Sequence, residues 1–308
     1  MITSHIEKSK HLLSRAGFGP SLQQFSNLEH SNETNIWNEL KRNKSISEIK
    51  ITMDIPEVYT MDNPMNNPAT KREILQLNRQ KITELNQLFF KEMISSENQL
   101  REKMAFFWHG HFATRVNNAL FNAQLLQIFR EKGLGKFSEL LFAVSKSPAM
   151  LQFLNNQQNK KGHPNENFAR EVMELFTMGR NSYTEKDIKE SARAYTGWTY
   201  DKLGNFVFRE KQHDDGEKTF LGKTGNFDGD DVLKIILDQP ATATFITTKI
   251  YKFFVNETIQ PDKIQILANR FRNSDYDILA LLQDILTSHW FYRPENIGVK
   301  IKSPIELM

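Results

Sequence analysis

The chain has no cysteine among its 308 residues. Disulfides and thiolate chemistry are therefore excluded, and the absence says little about compartment. Glycine and proline are sparse, at 14 and 10 residues, which favours helices over a turn-rich β fold. No run of 18 apolar residues occurs, so no membrane span is expected. Charge of one sign is missing too: 40 basic residues face 37 acidic ones, a net of +3. A nucleic-acid binder gathers its positive charge on one face. Here Lys and Arg are scattered, so no nucleic-acid partner is expected. The opening MITSHIEKSK lacks an apolar signal segment, so the expected location is the cytoplasm, or outside it if a leader has been trimmed. Gly17 and Gly19 have no preceding strand and no Gly-Lys-Ser/Thr continuation, so they make no phosphate loop. Neither a Gly-x-Ser-x-Gly elbow nor His-Glu-x-x-His occurs. Asp228-Gly229-Asp230-Asp231 reads as a turn and helix start rather than a calcium site.

What is present is a large apolar complement, led by 23 Phe together with Leu, Ile and Met. The length allows one large domain or two ordinary ones. No solenoid period appears, and the reading is a single mostly helical domain over 1–308. The fold class is mainly α: a multi-helix bundle with a small β-hairpin or loop insertion near 199–222. Helices are predicted at 3–15, from Ser21, around Ile36 to Leu40, at 69–94, and from Glu97 through a His-rich segment. Others fall near 117–132, 137–146, 148–155, 228–237, 241–255, 261–272 and 276–291. Residues 44–69 hold three prolines and three asparagines and read as an irregular excursion, a loop that could cover something. Alternation at 205–209 and the short run 218–221 are β-like, punctuated by Gly204, Gly216, Gly222 and Gly225.

The densest stretch is Pro164 to Trp198. It predicts two helices joined by a tight turn. Asn165 caps the first, and Glu166 suits its positive end. Gly179 ends it, because glycine takes a left-handed backbone cheaply. Thr184 opens the second, with Glu185 and Asp187 in its first turn. At about 100° per residue, Phe168, Ala169, Val172, Leu175 and Phe176 share one arc. Glu166, Asn167, Arg170, Glu171 and Glu174 share the other. That polar arc is either a surface ladder, each pair contributing a few tenths of a kcal/mol, or a set of carboxylates facing an internal site.

Two further clusters carry chemistry. In Trp108-His109-Gly110-His111-Phe112, an extended backbone puts both rings on one side, whereas a helix turns them about 200° apart. Imidazole is a common metal ligand; the structural reading is one buried and one exposed histidine. In Gln212-His213-Asp214-Asp215-Gly216, His213 can be a ligand or proton carrier oriented by Asp214, or a solvent-exposed ring beside an Asp-Gly turn.

Taken together, the motifs resemble the uncharacterised bacterial family called domain of unknown function 1800. The matching stretches are HLLSRAGFGP at 11–20, KMAFFWHGHF at 103–112, FSELLFAVSKSPAML at 137–151 and PNENFAREVMELFTMG at 164–179. ARAYTGW at 192–198, QHDDGEKTFLG at 212–222 and KSPIEL at 302–307 continue it. The resemblance implies a mostly helical fold, and it implies no activity. The family's motif positions fall here on Arg15, Trp108, His109, His111, Asn165, Glu166, Asn167, Arg170, Glu171, Glu174, Trp198, His213 and Lys302. It also implies that more sequence commonly follows the K-S-P-x-E-L motif, and that many members are exported.

The expectation is an enzyme acting on a small molecule or polymer, hydrolase ahead of redox, with a polar site between helices. The cofactor would be a divalent metal ion held by His109, His111, Glu171, Glu174 and His213. Glu166, Arg170, Glu171, Glu174, His213 and Asp214 would be catalytic, Arg170 holding a carboxylate or anionic substrate by its planar fork. The rival expectation is a non-enzymatic binding or scaffold protein whose motif residues form a buried salt-bridge network. Geometry separates the two. An open pocket with unpaired carboxylates and imidazoles favours the enzyme, and paired charges without a cavity favour the scaffold.

Overall fold

The computed structural model describes residues 4–42, 45–51 and 68–307. It is 63% helical, with two small two-stranded sheets. Most of the 44–69 excursion lies outside the described residues; 45–51 run without regular secondary structure.

The chain opens with α1 (His5–Ala16), α2 (Leu22–Ser26) and α3 (Glu33–Leu40). Ser4 and Ser21 each form a reciprocal capping box with the residue three on. The long α4 (Pro68–Ser95) leads to α5 (Gln99–His111), α6 (Ala119–Lys132), α7 (Phe137–Ser145) and α8 (Pro148–Phe153). Next come α9 (Glu166–Glu171), a π-helical turn (Val172–Thr177) and α10 (Glu185–Ala194). After two hairpins the chain finishes with α11 (Gly229–Leu237), α12 (Pro240–Phe254), α13 (Pro261–Asn273) and α14 (Ile278–Leu286). The last predicted helix, 276–291, is shorter than its apolar pattern suggested. Asp275 and Tyr276 have positive φ, Asp277 caps Ala280, and the chain leaves the helix at Thr287.

The β insertion is two hairpins rather than one. β1 (Trp198–Tyr200) pairs antiparallel with β2 (Phe206–Phe208), Trp198 opposite Phe208. β3 (Lys218–Phe220) pairs with β4 (Lys223–Gly225) across a Leu221-Gly222 turn. Both turn residues have positive φ, 46° and 78°, as a two-residue hairpin turn requires. Leu221 tolerates it with its N–H bonded to Asp187 Oδ1 at 2.8 Å.

The core is one apolar cluster running from Leu12 to Tyr292. At its centre Trp108, Phe112, Phe129 and Phe137 are buried and stack on one another. Each such side chain contributes about 1.5–3 kcal/mol on burial. The Trp108 indole donates to the Gly133 carbonyl at 2.9 Å, so its one polar atom is satisfied.

Charged groups lie inside this core as well. Arg130 is wholly buried on α6 and grips both oxygens of buried Glu102 on α5, at 2.9 and 2.8 Å. It also donates to Glu92 on α4 at 3.1 Å and to the Ser47 carbonyl at 2.5 Å. One guanidinium therefore joins three helices and the 45–51 segment. Truncating one partner leaves a buried charge uncompensated. Arg130→Met should lower stability by about 3–5 kcal/mol, read as a fall in the urea midpoint. Arg270→Met, an exposed pair with Asp284, should lower it by less than ~1 kcal/mol.

Candidate functional site

The sequence-predicted residues fall into three places. The first is a groove of about 850 Å³ among the end of α5, the end of α8, the α9–π segment and α12. His109, Gly110 and His111 line one side, and Asn167, Glu171, Leu175 and Phe176 line another. Lys249, Lys252 and Phe253 of α12, with Glu257 beyond it, close the third. Phe106, Phe107, Phe153 and Leu154 complete an apolar floor.

Local structure decides how each group is presented. The His-x-His segment is the last turn of α5, so the two rings diverge. His109 is exposed on the rim and meets Phe129 of α6 edge-on. His111 turns inward, stacks on Phe107, and contacts Phe176 and Phe245. Its Nε2 lies 3.0 Å from the Phe176 carbonyl oxygen. A carbonyl only accepts, so Nε2 carries the hydrogen. Burial holds the ring neutral, with its pKa lowered to about 4. His111 thus satisfies a carbonyl that the end of the π turn leaves without a helical partner.

The π turn overturns part of the expected helical arc. Met178 N–H bonds to the Met173 carbonyl, five residues back, at 2.9 Å. The Thr177 hydroxyl bonds to the Val172 carbonyl at 2.6 Å. The wider turn rotates each later side chain less than 100°. Phe168, Ala169, Val172 and Phe176 are buried as the arc requires, but Leu175 is 49% exposed and Met173 takes the buried place. Gly179, φ 73°, ends the segment as expected, and a Cβ there would meet the Phe245 ring at 2.9 Å.

The carboxylates divide sharply. Arg170 makes a forked pair with Glu185, both bonds 2.9 Å, and lies 3.5 Å from Glu166. Glu174 accepts from Arg180 at 2.6 Å and from the Tyr183 hydroxyl at 3.3 Å. Glu171 has no hydrogen bond or ion pair among the described residues. Desolvation, with the nearby Glu174 charge second, raises its pKa against the opposing pull of Arg170.

The matching stretches at 103–112 and 164–179 meet in this groove. The family described as a protein of unknown function, DUF1800, matches residues 11–308. The chain belongs to this family. No curated protein and no solved structure matches it.

The second place in this DUF1800 chain is the base of the hairpins. His213 is buried, its Nδ1 3.0 Å from the Thr196 carbonyl, and it meets Phe208 edge-on. Asp214 is gripped by Arg193 at 2.8 and 3.1 Å and accepts from Gly216 N–H at 2.9 Å. The Arg193 hydrogen bond first, with help from the Gly216 N–H, lowers its pKa to about 2. Buried Lys218 bonds to the Asp214 and Gly216 carbonyls. Gly197, φ 83°, lets the Arg209 carbonyl come within 2.7 Å of where a Cβ would stand. These groups bind the hairpins to α10. Neither His213 nor Asp214 lines the groove.

The five candidate metal ligands are therefore not gathered into one donor set. Among the described residues no group of three or more His, Asp or Glu is arranged to hold a metal ion. The third place is a cationic recess formed by the first and last matching stretches, which contain Arg15 and Lys302.

Sequence reasoning missed Lys249 and Lys252. Their only signal in sequence was the i, i+3 spacing on a helix rich in apolar residues and threonine, which an ordinary solvent-facing pair shares.

Two pH effects follow. The folded-state pKa of His111 lies below its unfolded value near 6.5, so between about pH 6.5 and 4 only the unfolded chain takes up the proton. Stability should therefore fall as pH drops through that window, by on the order of 3 kcal/mol from this residue. His111→Gln, which keeps an N–H for Phe176, should flatten the slope of the urea midpoint against pH. Asp214 is depressed, so its contribution is present above pH 3.8 and lost as pH falls through about 2. Asp214→Asn should cost on the order of 2 kcal/mol at pH 7, with no such loss at pH 2.

Proposed function

We propose that the groove is the active site of an enzyme that works by proton transfer, hydrolysis ahead of redox, on a substrate with an apolar body and an anionic group. Glu171 carries this reading. It is the unpaired carboxylate of the motif helix, it lines the largest of the cavities described, and its pKa is raised. A carboxylate shifted toward neutral pH both accepts and returns a proton readily. The aromatic floor suits an apolar substrate body, and Lys249 and Lys252 supply attraction for an anion. His109, on the rim with its pKa lowered by desolvation from the surrounding groove, is the second group able to carry a proton.

The reading narrows the candidate residues. Glu166, Arg170, Glu174 and Asp214 spend their charges on neighbours and act as framework. His111 positions the π turn. No step is routed through a metal, since no donor set converges among the described residues.

The test uses a panel of chromogenic esters, glycosides and phosphomonoesters, with phenylacetate as a binding probe followed by saturation-transfer NMR. Glu171→Gln should reduce turnover by roughly 10²–10⁴-fold while circular dichroism and the melting temperature hold. Arg170→Gln should leave turnover within a few-fold. A Cβ at Gly110 meets open space, so Gly110→Leu should fold normally and block phenylacetate. Full activity in Glu171→Gln would sink the assignment. Unchanged phenylacetate binding in Gly110→Leu, or none in the wild type, would count against the groove.

A further inference from the structure

We infer that Lys300 is a positioning residue for the groove: held by Glu306, it fixes the last turn of α12 and with it the Phe253 wall. The inference rests on reading the groove as the functional site. It gives the first and last matching stretches a part in that site.

A helix leaves its last carbonyls without partners and its end partly negative. Glycine answers this need at many helix ends, but α12 runs out through Phe253-Phe254-Val255-Asn256. Two cations from elsewhere in the chain take its place. Lys300 Nζ donates to the Phe253 carbonyl at 3.1 Å, and buried Arg15 of α1 donates to the Val255 carbonyl. Asn256 is tied down as well, its side-chain amide donating to the Glu295 carbonyl at 2.9 Å.

Lys300 holds Phe253 twice. Besides the carbonyl bond, its ammonium stands 3.9 Å from the centre of the Phe253 ring, where a cation is drawn to the ring face. That ring lies 5.1 Å from Phe107 and 6.3 Å from Phe106 of α5, centroid to centroid, and all three line the groove. Glu306 in turn fixes Lys300. Its carboxylate accepts from Lys300 at 3.1 Å, from buried Lys103 at 2.5 Å, and from the Ser303 N–H and hydroxyl, each at 3.1 Å. The turn from Ser303 to Glu306 therefore folds a carboxylate back onto the ammonium. Lys302, the lysine of the motif, is exposed and makes no hydrogen bond or ion pair among the described residues.

The rest of α12 does not depend on this latch. Ile246, Ile250, Tyr251 and Phe254 are buried and anchor the helix. Removing Lys300 also leaves Glu306 paired with Lys103, so no buried charge is orphaned. The consequence is a loosened last turn and a displaced Phe253 wall in a chain that stays folded.

The chain has no cysteine, and a Cβ at Gly110 meets open space. Gly110→Cys can therefore carry a single environment-sensitive fluorophore in the groove of the whole chain. In that background Lys300→Met should red-shift the emission and speed amide exchange at 253–257 by roughly 10-fold or more, with exchange in α6 unchanged. Lys300→Arg, which keeps the charge and the donors, should restore both. Lys302→Met should change neither. Unchanged emission and exchange in Lys300→Met would overturn the inference, and so would an equal response in Lys302→Met. Were Lys300→Met not to fold, an unshifted emission in Ser303→Ala, which loosens Glu306 by one hydrogen bond, would overturn it instead. These readouts need no ligand. If they come out as expected while Glu171→Gln keeps full turnover, the latch stands and the active-site reading falls. If Glu171→Gln is inactive, Lys300→Met should raise KM by roughly 10-fold with kcat within about 2-fold, and an unchanged KM would break the link between latch and groove.

Discussion

One widened turn, Val172–Thr177, sets the geometry of the motif helix. An α-helix carried through this stretch would have sent Leu175 into the core and left Met173 beside the glutamates. The π turn exchanges them, leaving Leu175 exposed in the groove and Met173 buried. Such a turn leaves carbonyls without regular partners. Two side chains answer that need: Thr177 from within and His111 from α5. A histidine of the motif that invites a metal reading is thus bound to the backbone that shapes the groove.

Pairing separates framework from site across the whole molecule. Arg130 with Glu102, Arg193 with Asp214 and Arg170 with Glu185 are forked and satisfied. Such pairs lock helices and hairpins in register and leave no charge over for chemistry. Glu171 and Arg15 have no such forked partner among the described residues, and each stands on the wall of a cavity. The two cavities also share a neighbour. Phe253 lines the groove, and its face receives Lys103 and Lys300 from the cationic side. Through that ring, and through Arg15 on the Val255 carbonyl, the end of α12 touches both places.

Much of the fold was legible because its signals are local. Ser21, Asn165, Thr184 and Asp228 each cap the helix their position predicts, and Gly179 turns the chain as expected. The β insertion was visible at Phe206–Phe208 and Lys218–Phe220, but their partners were not. Trp198–Tyr200 continues a helical pattern in sequence, and Lys223–Gly225 is too short and polar to announce a strand. Strand pairing depends on what lies opposite, which no local pattern records. The π turn was hidden for a related reason: its sequence suits an ordinary α-helix, and the choice rests on contacts made by His111 from a distant segment.

The sequence alone determined that this is a mainly helical member of the DUF1800 family, without disulfide chemistry, with distinctive His, Glu and Arg motifs. Composition, helical periodicity and capping residues carry that much, since each acts over a few neighbouring positions. Only the tertiary structure decided which charges are neutralised. Glu171 and Glu174 stand three residues apart and are chemically alike, yet Arg180 and Tyr183 claim one and leave the other facing the groove. A side chain's partner, unlike its helix, is set by where the chain goes once the helix ends, and that placement distinguishes a structural ion pair from a reactive group.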